Sequence, residues 1–174
     1  MSDAEKISRN ENSCESILDT AKTIYNEESE RFKQAENKTN IAIAFVGILF
    51  GSYLTYLGSF DPVTEEAAYL IYTFSFKFLI FILLSASAGQ LLKAIRTGKY
   101  DQVSLEAIVN DELSREDANW VKLQIAATYK EAIDLNKELL EKKMDIYSKG
   151  LNLVLWGFTL FVIHFIVEEV IKIV

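Results

Sequence analysis

The stretch AENKTNIAIAFVGILFGSYLTYLG, residues Ala35–Gly58, begins as a charged helix face and ends as an apolar one. From Asn40 to Phe60 it holds no charged residue and no proline, and no glycine before Gly47. A helix that runs from charged into apolar sequence without a break predicts a chain entering a membrane. As a helix, Ile41–Gly58 extends about 27 Å at 1.5 Å per residue, close to the ~30 Å of a hydrocarbon core.

Two further runs repeat the signal. Ala67 to Leu92 is interrupted only by Lys77, and Leu151 to Val167 carries no Asp, Glu, Lys or Arg. The chain of 174 residues is 50% hydrophobic and 25% charged, but the two kinds are segregated. Charges crowd residues 1–39 and 93–149 and are sparse elsewhere. A soluble bundle would place polar residues every third or fourth position, and these runs do not. Sparse glycine and the single Pro62 leave strands without support.

The expected architecture is an all-α membrane protein with three transmembrane helices and long cytoplasmic helical extensions. Its parts are a disordered tail 1–12, a cytoplasmic helix 13–39, spans at 40–59, 67–92 and 150–168, an external turn 60–66, a cytoplasmic helical region 93–149 and a tail 169–174. Lys93, Arg96 and Lys99 follow the second span, whereas the turn after the first holds Asp61, Glu65 and Glu66 and no base. Basic residues favour the cytoplasmic side, so the N-terminus is expected inside and the turn outside.

Outside the spans the period is helical. Ile17, Ala21, Ile24, Glu28, Phe32 and Ala35 form one stripe, which Leu18 and Tyr25 widen. Ser13 or Ser16 is the candidate cap. Val103–Leu113 suits a short helix, and Ser114 with Asp117 marks the start of a long one. There Val121, Ile125, Tyr129, Ala132, Leu139 and Ile146 form a seam opposite Lys130, Asp134, Lys137, Glu138 and Glu141. Trp120 and Leu123 fall on the charged face without explanation. The seam reads as helix packing or, as the minority case, a groove for a small ligand.

Several function classes lose support. The net charge of −7 argues against nucleic acid as a partner, because phosphate binding needs a basic stripe. Cys14 stands alone and there is one histidine, so neither a disulfide framework nor a metal site is expected, and no cofactor. The chain has no Gly-rich phosphate loop with lysine, no Gly-x-Ser-x-Gly and no His-Glu-x-x-His, so an enzyme is not expected.

What remains lies inside the spans. An ionisable side chain in hydrocarbon is costly unless paired, hydrated or snorkelling. Lys77 lies about 24 Å from Lys93, His164 about 21 Å from Gly150 and Thr55 about 22 Å from Asn40 along their helices. The three are expected at one level, as a polar layer in a pore, with Glu168 or Glu169 as countercharge. The bland alternative is a snorkelling lysine and a histidine satisfied by a neighbouring hydroxyl. Gly47 and Gly51, and Ser85 and Gly89, repeat small residues four apart, which lets helices approach closely in lipid. Their expected use is packing within one hairpin or contact between subunits. Tyr53, Tyr56, Tyr69, Tyr72 and Trp156 suit aromatic belts.

A helix ending in AENKTN (Ala35–Asn40) before a first span resembles the Ala-Asp-x-Lys-Ala entry of small bacterial antiphage membrane effectors. These include Pycsar-type transmembrane effectors and SLATT-domain proteins of CBASS-like systems. YKEAIDLNKELLEKKMDIYSKG (Tyr129–Gly150) is similar to their long pre-membrane helix. Glu36 stands where that entry has aspartate, and Thr39 where it has alanine. The resemblance implies a homo-oligomer that breaches the bacterial inner membrane when a nucleotide second messenger or a partner defence protein activates it. Membrane proteins accompanying type VI CRISPR ribonucleases are a related alternative, and a non-conducting scaffold or anchor is the other.

Overall fold

Local chemistry sets where each helix starts and stops. The computed structural model describes residues 10–173 except 65, 99, 101, 104, 110 and 112. Helix α1, Glu11–Gly58, opens on Asn10, whose side-chain oxygen accepts the amides of Asn12 (3.0 Å) and Ser13 (3.4 Å). Ser13 and Ser16 therefore lie inside the helix rather than capping it. A turn through Pro62 leads to α2, Ala67–Arg96, after which Gly98 takes a φ of 57° that side-chain-bearing residues rarely adopt. Within the expected 103–113 helix, only Leu105–Ile108 (α3) is helical among the described residues, followed by a 3₁₀ turn at Leu113–Arg115. Helix α4, Ala118–Ile173, is capped by Asp117, which accepts the amides of Asn119 (3.0 Å) and Trp120 (3.3 Å). Ser114 instead donates to the Asp111 carbonyl. All regular structure among the described residues is helical. The tail expected to be disordered lies mostly outside them.

The buried positions follow a seven-residue repeat. On α1 buried and half-buried residues 14, 18, 21, 25, 28, 32, 35, 39, 42, 46, 49 and 53 keep alternating steps of four and three. On α4 the same steps run through 129, 133, 136, 140, 143, 147, 150, 154, 157, 161, 164 and 168, with the buried Ala132 and Ile146 beside them. A repeat of 3.5 rather than 3.6 residues keeps one seam against its neighbours when helices wrap left-handedly. The N-terminal stripe is thus centred on Cys14, Leu18 and Tyr25, while Ile17 and Ile24 stand 50% and 41% exposed.

The chain divides into two compact units, and α1 and α4 contribute to both. Unit 1 comprises residues 1–34 and 99–141, and unit 2 comprises 35–98 and 142–174. Unit 1 packs Leu18, Phe32, Ala126 and Ala132 inward, and joins the rings of Tyr25, Phe32, Tyr100 and Tyr129 at centroid separations of 5.2–5.5 Å. Lys122 bridges to Glu15 at 3.3 Å and Glu11 at 3.6 Å. Trp120 and Leu123, unexplained by a charged outer face, are half-buried.

Unit 2 contains the three apolar stretches. Each lies in a helix long and apolar enough to cross a membrane, and only 17%, 28% and 22% of the three windows is buried inside the fold. Ile41, Ile48, Ile71, Phe74, Phe78 and Trp156 are all exposed by 60% or more. An apolar girdle on this scale has no place in water and marks a membrane protein. Inside, two layers fill the space between helices: Tyr53, Ile80 and Leu84, and Ala42, Val46, Leu91 and Val154. Close approach comes at two glycines of α4. A Cβ on Gly150 would meet Leu91 Cγ at 2.9 Å, and one on Gly157 would meet Leu84 Cδ2 at 3.1 Å.

Candidate functional site: a buried polar seam between the spans

The seam of unit 2 is polar where its outer surface is not. Thr39, Thr73, Lys77, Ser87, Lys143, His164 and Glu168 are all buried. Those at the turn end of the spans form one cluster. Glu168 lies four residues beyond His164 on α4 and is 1% exposed, so it faces the interior of the bundle. Its two carboxylate oxygens each accept a hydroxyl of α2: Tyr69 donates to Oε2 and Thr73 to Oε1, both at 2.6 Å. Tyr69 and Thr73 are four apart, so one helix face presents both donors. His164 Nε2 stands 3.8 Å from Glu168 Oε1.

Aromatic rings box the imidazole in. Phe76 stacks on it at 5.8 Å and 14°, Tyr72 tilts against it at 5.7 Å, and Tyr56 meets it edge-on at 6.1 Å. Neither ring nitrogen of His164 has a hydrogen-bond partner among the described residues, nor do Lys77 Nζ and Tyr56 Oη. The Lys77 ammonium instead faces the rings of Tyr56 and Phe60, a cation–π contact. The Lys77 carbonyl accepts the hydroxyl of Tyr53. Helices α2 and α4 thus bring a carboxylate, an imidazole and an ammonium into one apolar region, where the Tyr56 ring of α1 faces both Lys77 and His164. Of the three, only the carboxylate accepts hydrogen bonds from described residues, and an unmet buried donor costs stability.

At the other end of unit 2 a buried lysine forms an ion pair between α1 and α4. Lys143 is fully buried and donates to Glu36 Oε1 at 2.9 Å, and Glu36 is half-exposed. This gives AENKTN a local reading: Ala35 and Thr39 lie on the seam, with the Thr39 hydroxyl donating to the Ala35 carbonyl at 2.8 Å, and Glu36 meets Lys143.

Lys77 and His164 come together, but Thr55 does not join them: it is exposed, and its hydroxyl donates to the Gly51 carbonyl of its own helix at 3.0 Å. Gly47, Gly51 and Gly89 meet nothing within 4 Å of an added Cβ, and Ser85 is exposed. These small residues face away from the bundle, and Gly150 and Gly157 serve close packing within it. Tyr53, Tyr56, Tyr69 and Tyr72 point into the bundle, whereas Trp156 faces out. Extending the 3.5-residue repeat of α4 through the third span would have put Glu168 on the seam. No group of three or more metal-binding side chains occurs among the described residues.

In unit 1, α1 and α4 border an apolar groove of about 530 Å³ between Ile17, Ala21 and Ile24 on one side and Leu123, Ala126 and Ile133 on the other. Its basic residue, Lys130, is paired with Asp134 at 2.6 Å.

No family model matches the chain, and no curated protein or solved structure matches it.

Proposed function

We propose that the chain is a pore-forming or membrane-disrupting effector of a bacterial antiphage defence system, working as a homo-oligomer in the inner membrane with its N-terminus in the cytoplasm. The observation that carries this reading is the buried cluster of Glu168, His164 and Lys77 inside an otherwise apolar three-span unit. A membrane anchor has no need of ionisable side chains in its core, where they cost several kcal/mol unless paired, hydrated or snorkelling. Below the cluster, the layers around Ile80 and Leu84 close the bundle. On this reading conduction requires a second arrangement that turns the polar seam toward a water path. The outward small residues Gly47, Gly51, Ser85 and Gly89 supply surfaces on which subunits assemble.

Unit 1 receives the trigger. Its groove is apolar and its one lining base is already paired, which favours a partner protein over a nucleotide signal. The same groove favours the second reading, a non-conducting scaffold that holds a partner at the membrane. Proteoliposomes separate the two. The pore reading expects the reconstituted chain to release a trapped ion, and the double variant Lys77→Leu/His164→Leu to abolish the release. Equal release by both overturns the role of the cluster, and a silent wild-type chain in monomers or tight dimers establishes the scaffold.

A further inference from the structure

A second feature of unit 2 opens outward. Leu57, Phe60, Phe74, Lys77, Phe78 and Phe81 line a groove of about 250 Å³ on the girdle face, beside the turn that joins the first two spans. Phe74 and Phe78 are 60% and 66% exposed. With Phe81 they stand at i, i+4 and i+7, one stripe about 10 Å long that descends α2 away from the turn. At its upper end is Lys77, 5% exposed, with an ammonium that has neither a hydrogen-bond acceptor nor an ion-pair partner among the described residues. The rings of Tyr56 and Phe60 cover it. A cation–π contact returns only part of what three N–H donors lose on leaving water.

We propose that this groove holds one anionic phospholipid, its phosphate on Lys77 Nζ and an acyl chain along Phe74, Phe78 and Phe81. The chemistry on the page selects this occupant. The groove faces the girdle, where the surrounding medium is lipid. Its lining is aromatic along the upper part of an acyl chain and carries one positive charge at the end nearest the turn. Lys77 reaches toward Phe60, a residue of that turn, so its ammonium lies at headgroup height although its Cα lies deeper. A lipid with a choline or ethanolamine head brings a cation of its own and gains less from the site than phosphatidylglycerol does. Glu168 makes no ion pair with Lys77, and its oxygens accept the hydroxyls of Tyr69 and Thr73. Phe60, half-buried and outside the helices, swings aside to admit the phosphate. The inference does not depend on conduction.

The test counts lipids retained by the purified chain after extraction from bilayers of equal phosphatidylglycerol and phosphatidylcholine, by native mass spectrometry. The wild type should prefer phosphatidylglycerol by about fivefold, the effect of one basic residue at a membrane surface. Lys77→Arg should keep the preference and Lys77→Met should bring it to parity. Phe78→Ala should lower retention of both lipids without changing their ratio, and added glycerol phosphate should displace neither. Parity in the wild type, an unchanged ratio in Lys77→Met, displacement by glycerol phosphate, or a ratio that follows Lys93→Gln/Arg96→Gln instead would each overturn the site. Should Lys77→Met not fold, Phe74→Trp decides: brominated phosphatidylglycerol should quench its emission more than brominated phosphatidylcholine, and equal quenching rejects the proposal.

Discussion

Units 1 and 2 share two helices and one repeat, yet they differ in what they turn outward. In unit 1 the seam holds Leu18, Phe32, Ala126 and Ala132 with the polar Asn136, and the outward positions carry ion pairs such as Lys33 with Glu30 and Lys130 with Asp134. In unit 2 the seam adds Thr73, Lys77, His164 and Glu168 to an apolar core of Ile80, Leu84 and Leu91, and the outward positions are Ile48, Ile71, Phe78 and Trp156. The 3.5-residue repeat fixes which positions face inward, and the medium outside fixes what they must be. In water, burial of apolar area drives helices together; in lipid it cannot, and close packing with interhelical hydrogen bonds takes its place.

The widest gap between the units should come from one substitution made in each. Ile48 and Ile17 are both exposed, by 68% and 50%. Ile48→Asp puts a carboxylate in the middle of a span and should cost ~3 kcal/mol, read as a loss of membrane insertion in a glycosylation-mapping assay. Ile17→Asp exposes the same group to water and should shift unfolding by about 0.5 kcal/mol or less. Equal effects would mean that the girdle of unit 2 is not in lipid.

Glycine offers a contrast within unit 2. Gly150→Ala drives a methyl to 2.9 Å from Leu91 Cγ and should destabilise by about 1–3 kcal/mol, since Leu91 is itself fully buried and has little room to yield. Gly47→Ala meets nothing and gains helix propensity, up to about 1 kcal/mol. Thermal melts of the two variants should therefore move in opposite directions in nanodiscs that hold a single chain, whereas in the proposed oligomer a subunit against the Gly47 face turns the gain into a loss. A loss at Gly47 of the size seen at Gly150 would place another subunit against that face.

The sequence shows the three spans and the helical character because length and segregation of charge are local properties. It shows the rotational phase of the helices poorly. Ile17 and Ile24 are more hydrophobic than Cys14 and Tyr25, so a stripe drawn by hydrophobicity is centred on the wrong residues. Inside the spans hydrophobicity carries no phase information at all, because the lipid face and most of the seam are both apolar. There the informative residues are the polar ones. Lys77 and His164 stand out by charge, Glu168 and Glu169 are both candidate countercharges, and only carrying the repeat past Val167, where the apolar run ends, chooses Glu168 between them. Thr55 shows the limit of depth alone: it shares a level with Lys77 along its helix but lies on another face, four residues from the carbonyl that satisfies it.

A last difference lies in how the units respond to alkali, and it is the smallest. In unit 1 the Tyr100 ring packs between Tyr25 and Phe32, and its hydroxyl donates to the Tyr25 carbonyl at 3.0 Å. Burial pushes that hydroxyl from the ordinary 10.0 up to about 12, with Tyr25 adding to the shift. The fold thus favours the neutral phenol. Its contribution is complete below pH 10 and is lost as pH rises through about 12, because the unfolded chain ionises first. Tyr100→Phe keeps both ring contacts and removes the donor, so it should cost ~1 kcal/mol at neutral pH and make stability less sensitive to alkali above pH 10. Circular-dichroism melts at rising pH, set beside tyrosinate absorbance, read both effects. If the variant and the wild type lose stability over the same alkaline range, the phenol that senses alkali is not Tyr100 and the aromatic core of unit 1 is held by its rings alone.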